Sequence, residues 1–314
     1  MTAFLLPILA SVAAIVPLAA QPPSGPFTDA PPRSEAPALQ KVDRRYAIAS
    51  DASIRFMGSV GTLRVIGWNR DSLAVTGTLP TGARLKVSVG PNTSGPARGA
   101  KMFIESPTDE MSAASTLELR VPTGARVWVK SGTANVEARE VTGGLDINVI
   151  GGSVRVVASP RELQVEAMDA AVVIEGSPGW TRVKTATGDI TLTGSSGDAA
   201  LTTVSGAVRL GGGSVERARV ETVTGAIEFS SEFARGADVT LDTHSGSMDL
   251  GFSAKSSFDL NATSITGSVE NTFDRTRPTP GREGRGQNVI VSQGWDTARV
   301  IARSFKGTIV VRRR

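Results

Sequence analysis

From about residue 120 onward the chain repeats one short phrase: alternating apolar residues, a glycine, then alternating apolar residues again. The clearest copy is TRVKTATGDITLTG at 181–194, centred on Gly188. Aligned on that glycine, further copies centre on Gly132, Gly152, Ala170, Gly206, Gly225, Gly246, Gly267 and Gly307. The spacings are 20, 18, 18, 18, 19, 21, 21 and 40 residues. Self-similarity at a fixed period marks a repeat architecture.

The aligned columns show which side chains face inward. Five residues before the centre stand Val127, Ile147, Val165, Val183, Leu201, Val220, Leu241, Ala262 and Ala302. Two residues after it stand Ala134, Val154, Val172, Ile190, Val208, Ile227, Met248, Val269 and Ile309. Successive side chains on a strand point to opposite faces, so apolar residues at every second position put one face of each strand in a core.

The period then selects the architecture. Coils of 18–21 residues hold two or three short strands and their corners. They are too short for a propeller blade of about 40 residues and leave no room for a crossover helix. Equivalent strands of successive coils must pair with each other in parallel, about 4.8 Å apart. The expectation is an all-β, single-stranded parallel β-solenoid with a diverged N-terminal β cap over 43–124 and the solenoid proper over 125–314. Each glycine is read as a corner adopting positive φ, where a Cβ is strained. Hydroxyls just before the corner, Ser131, Thr187, Ser205, Thr224, Ser245 and Thr266, are placed to bond from coil to coil.

The cap is legible as diverged copies. IRFMGSVGTLRV matches the phrase around Gly61, and LPTGARLKV at 79–87 recurs as VPTGARVWV at 121–129. Two polar stretches, 90–100 and 106–115, lie between them. The first 20 residues carry no charge and read as a secretory signal peptide, although Pro7 and Pro17 interrupt the apolar run. Residues 21–42 are proline-rich and read as a disordered linker. With no cysteine in the chain, disulfides and thiolate metal sites are excluded. Export to the periplasm or cell surface is expected, as a monomer that is not an integral membrane protein after signal cleavage.

Candidate chemistry is sparse. His244 is the sole histidine. It falls in a column filled by Ile150, Met168, Ala186, Val204, Val223, Ile265 and Phe305, which predicts a packed, partly buried imidazole. A relay from Asp242 through His244 to a serine has no support beyond composition. Glu228, Asp249 and Glu270 occupy one outward column on what read as consecutive coils, a candidate Ca²⁺ site against the plainer reading of a solvated acidic strip. Residues 272–314 hold ten Lys+Arg against three Asp+Glu. Arg275, Arg277, Arg282 and Arg285 in the insertion RTRPTPGREGRGQ are therefore candidates for an anionic partner, nucleic acid excepted. GREGRG lacks the strand, helix and lysine of a phosphate loop. Trp68, Trp128, Trp180 and Trp295 share no column, so no aromatic ladder is expected. No cofactor is implied.

The segments VPTGARVWVKSGTANVEA, VKTATGDITLTG, VETVTGAIEF and DTHSGSMDL, within 43–314, resemble an adhesin-like bacterial family of unknown function with β-strand repeats. That resemblance implies a non-enzymatic, exported β-solenoid of the cell envelope and supplies no catalytic or ligand residues. The absence of a terminal barrel segment or wall-sorting tail favours a periplasmic or loosely surface-associated protein. The expected function is a structural or binding module that contacts an envelope protein or glycan. A polysaccharide lyase or hydrolase is the alternative, together with a self-assembling scaffold. Short loops without an acid cluster argue against the enzyme.

Overall fold

Apolar alternation becomes strand almost everywhere it occurs. The computed structural model describes residues 39–58, 61–90, 95–105 and 115–314. The apolar leader, residues 21–38 of the proline-rich segment, and residues 91–94 and 106–114 of the two polar stretches lie outside the described residues. Residues 39–42, assigned to the linker from sequence, are instead the start of strand Leu39–Gly58, with Val42 buried. Pro37–Arg314 is one compact unit. It is all-β, and helical geometry among the described residues is confined to a 3-10 turn at Arg282–Gly284.

The central coils stack in parallel. Strand Arg126–Arg139 pairs with Gly144–Val157, which pairs with Glu162–Glu175, in both halves of each coil. The same register continues through Trp180–Lys184 and Ile190–Thr193 to Val208–Thr222 and Ile227–Thr243. Inward residues form one core: Val127, Leu145, Leu163, Val183, Leu201, Val220 and Leu241 are all buried. One alignment shifts by two residues. Ala134, not Gly132, stands opposite Gly152, and Gly61 lies on its other side. Pairing Val127 with Leu145 and Val136 with Val154 outweighs stacking one glycine, and a two-residue slip keeps every inward side chain inward.

The corner glycines have a different cause from the expected one. Gly61 and Gly152 do adopt positive φ, at 137° and 100°, whereas Gly188, Gly206, Gly225, Gly246, Gly267 and Gly307 do not. At these six, a Cβ would overlap a backbone carbonyl oxygen of the neighbouring coil. The glycine is there because adjacent coils approach too closely for any side chain. A second device tightens the same corner. Three residues before it stand buried Thr185, Thr203, Thr222, Thr243, Ser264 and Ser304. The corner N–H of Gly225 donates to Thr222 Oγ1 at 2.9 Å, that of Gly246 to Thr243 at 2.9 Å, and that of Gly307 to Ser304 at 2.7 Å. In the earlier coils the same position holds Val149 and Ala167, and the strand runs through the corner unbroken. The hydroxyls singled out from sequence also reach the next coil: Thr266 donates to the Phe305 carbonyl at 3.0 Å.

The ends depart from a wholly parallel stack, so the sheet is mixed. At the N-terminal end, Leu39–Gly58 pairs antiparallel with Ser72–Pro80, which pairs antiparallel with Ser115–Pro122. Arg84–Val89 pairs antiparallel with Ala97–Glu105. At the other end the coil order is interrupted. Strand Ala298–Ser304 lies between Ile227–Thr243 and Phe258–Ser264, parallel to both. Ile309–Arg313 lies between Met248–Phe252 and Val269–Asn271. The spatial order of corners is therefore Gly246, Gly307, Gly267, not the order of the sequence. The 40-residue gap is the chain skipping one slot, turning back through the antiparallel strand Gln287–Gln293, and filling the slot it left. Phe252, Phe258 and Phe273 close the core there, with ring centroids 4.4 to 6.3 Å apart.

Gly206→Ala should lower stability by about 3 kcal/mol, since overpacking here meets backbone that cannot yield. Thr222→Val should cost about 1 kcal/mol for one buried hydrogen bond. Both are read by thermal and urea unfolding. Ending the chain at residue 297 should remove hydrogen-exchange protection from those amides of 239–243 and 258–264 that bond to the strand between them, while amides bonded to 218–222 and 287–293 keep theirs.

Candidate functional site

Parallel stacking in register turns a sequence column into a row of side chains across neighbouring strands. One outward row runs Arg55, Trp128, Asp146, Gln164 and Arg182; the next runs Ser53, Arg126, Gly144, Glu162 and Trp180. Gly144 has no side chain between Arg126 and Glu162, and the rows leave a groove of about 520 Å³ over it. This volume lies within the usual range for small-ligand sites. Trp128 lies three strands from Trp180, roughly 14 Å at the usual strand spacing. Trp128 and Trp180 thus flank Asp146, Glu162 and Gln164, while Arg126 stands on the strand of Trp128 and Arg55 on the strand beyond it.

Asp146 is the titratable group that this setting perturbs. Burial raises its pKa above the ordinary carboxylate value; the Asn148 side chain, donating at 2.6 Å, opposes the shift, and nearby Glu166 adds to it. The sequence columns missed this groove because the two tryptophans occupy different positions of the phrase. They come to flank one groove only through the lateral packing of four strands.

The structure disperses the sites read from sequence. Glu228 and Asp249 are neighbours, but Val310 separates Asp249 from Glu270. Arg209 lies 3.3 Å from Glu228, and Arg312 lies 2.6 Å from Asp249. The three acids do not converge, because their apparent succession ignores the inserted strand. His244 is exposed rather than partly buried, and its ring stacks flat on Phe305 with centroids 4.9 Å apart. Asp242 faces Arg303 at 3.8 Å, so no relay through His244 forms. Arg275, Arg277, Arg282 and Arg285 are all exposed, on or beside the hairpin in which Thr279–Pro280 pairs with Gln287 and Asn288. Trp68 is structural: its Nε1–H donates to the Ser72 carbonyl at 2.8 Å, and Arg45 and Arg70 lie over its ring.

The column containing His244 points outward throughout. Ile150, Met168, Val204, Val223, Phe305 and Ile265 are between 44% and 63% exposed. They form an apolar ridge along the corner because the residue two before the glycine must lie on the outside of the bend. At one end the ridge borders a wider depression of about 810 Å³ that includes Met57, Ile150, Met168, Lys130 and Lys184. Exposed apolar rows of this extent mark contact surfaces.

No curated protein matches the sequence. Among solved structures, the chain is similar to a candidate adhesin from Parabacteroides distasonis, at 11% identity over 87% of this chain and 97% of that one, with a TM-score of 0.45. It is also similar to a candidate adhesin from Bacteroides fragilis, at 12% identity over 88% and 99%, with a TM-score of 0.42. A candidate lipid-binding protein from Parabacteroides distasonis gives 11% identity over 86% and 96%, with a TM-score of 0.43. No helix among the described residues is long and apolar enough to cross a membrane. The family model described as Toastrack DUF4097 matches residues 179–309. That is the part of the chain in which buried hydroxyls latch each corner: residues 179–309 are a Toastrack DUF4097 domain.

Proposed function

We propose that this chain is an exported, non-enzymatic, adhesin-like binding module of the bacterial cell envelope, with a glycan held in the groove between Trp128 and Trp180. The observation that carries this is the pairing of two indoles with Asp146, Gln164, Arg126 and Arg55 over a bare glycine floor. A sugar ring presents an apolar C–H face and a rim of hydroxyls. An indole takes the first. Carboxylate, carboxamide and guanidinium groups take the second, the charged ones through the stronger hydrogen bonds. An open groove between two indoles suits a stretch of glycan better than a single ring. The parallel-stacked coils supply a rigid base, so little ordering cost falls on the site at binding.

Titration with envelope oligosaccharides tests this directly. Trp180→Ala should weaken binding about tenfold, in line with the loss of one stacked aromatic contact. A Cβ at Gly144 meets Arg126 Cγ at 3.5 Å, which is ordinary contact. Gly144→Val should therefore fill the floor and abolish binding while the melting temperature stays unchanged. Equal affinity of wild type and Gly144→Val for every glycan would overturn the reading.

A second reading, a glycoside hydrolase, rests on one observation: burial makes Asp146 a weaker acid, as a general acid requires. Asp146→Asn separates the two, since a hydrolase would lose all release of reducing ends and a binding module would retain most of its affinity. The same variant reports on the carboxyl itself. A raised folded pKa means the folded state holds the proton more tightly than the unfolded chain. The contribution of Asp146 to wild-type stability should therefore fall as pH rises from 3.8 through the folded pKa. Above that it stays level. Asp146→Asn should lack this step, so its advantage over wild type should grow across that window and then hold constant, as read by urea unfolding at stepped pH.

A further inference from the structure

The two ends of the stack are finished differently. At the N-terminal end the outermost strand, Arg84–Val89, pairs on one side with Ala97–Glu105 and carries Arg84 and Lys86. Arg44 also donates to its Leu85 carbonyl at 3.2 Å. Charges and a capped carbonyl are the usual defences of an edge strand. At the C-terminal end the outermost strand is Gln287–Gln293, sequence QNVIVSQ, which has no charge and no proline. Phe258–Ser264 takes one of its edges. Among the described residues, the other edge meets Thr279–Pro280 at Asn288 and Gln287 and is open from Val289 to Gln293. Val289 and Val291 point into the core, while Ile290 is 60% exposed. Just beyond, Trp295 is 93% exposed, the barest large apolar side chain described.

The geometry points to a second copy of this chain as the occupant of that edge, added as an antiparallel strand about a two-fold axis through Val291. This register pairs Val291 with its symmetry mate, Ile290 with Ser292, and Val289 with Gln293. It keeps valines over the core and Ile290 on the outer face, as the alternation of an added strand requires. Antiparallel addition also brings the end bearing Trp295 in one copy beside the turn bearing Arg282 and Arg285 in the other. Those guanidinium groups have no salt bridge among the described residues, and an indole face is a good partner for them. The pairing thus occupies an open edge, a bare tryptophan and two unpaired arginines together. The two-fold axis makes the contact isologous, so it closes at two copies, and the charged strand at the opposite end offers no second edge from which a filament could grow.

Sedimentation equilibrium of the full chain over a wide concentration range tests this. The expected result is a reversible monomer–dimer equilibrium. Ile290→Lys, a charge placed on an exposed edge position, should abolish the dimer while leaving the circular dichroism spectrum and melting temperature unchanged. Trp295→Ala, at a site that touches no core, should weaken the dimer about tenfold. A monomer at every concentration would overturn the inference, leaving the edge to an extended segment of some other protein. A dimer untouched by Ile290→Lys would overturn it as well and would move the contact elsewhere, to the corner ridge first.

Discussion

The closeness of successive coils at the corner is the constraint on which the rest of this structure depends. Where one coil turns, its α-carbon sits against a carbonyl oxygen of the coil before, leaving no space for a Cβ at Gly188, Gly206, Gly225, Gly246, Gly267 or Gly307. That contact holds the register of the strands on either side, and the register decides which side chains share a row. Buried threonines and serines then satisfy corner N–H groups that bending removes from the ladder. An unpaired amide at that depth would cost about 1–3 kcal/mol. The groove, the apolar ridge and the paired surface charges are all consequences of rows fixed in this way.

Fixed rows also explain how a chain with so little catalytic vocabulary presents a defined site. Trp128 and Trp180 are 52 residues apart in sequence, yet they stand on strands separated by two others. Nothing in that arrangement needs a long loop. Surface ion pairs such as Arg139 with Glu137 and Arg219 with Glu221 are exposed, and pairs of this kind contribute little to stability. The core and the corners carry the fold, which frees the outer face to vary.

The skipped slot near the C-terminus has a separate physical meaning. Strands 298–304 and 309–313 are held on both sides by strands made earlier in the chain. The last coils are therefore interleaved, and neither is fully paired without strands of the other. The aromatic cluster of Phe252, Phe258 and Phe273 seals the core over the same unit.

Sequence alone determined the all-β class, the coil length and the inward face of nearly every repeat, because alternation and period are local properties that hold in any register. It also held an unread clue in the switch from Val149 and Ala167 to Thr185 and its successors, which marks where the corners tighten. Tertiary structure alone decided what depends on which strand lies beside which. Ala134 replaced Gly132 in its column because apolar pairing outweighs one glycine. Glu270 lost its place beside Asp249 because a later strand entered between them. His244 stands outward in step with the alternation before it, since Val239, Leu241 and Thr243 face the core, and the apolar company of its column masked that parity. The groove between Trp128 and Trp180 belongs to this second group, since lateral neighbours in a stack are set by packing and leave no trace in the spacing of residues.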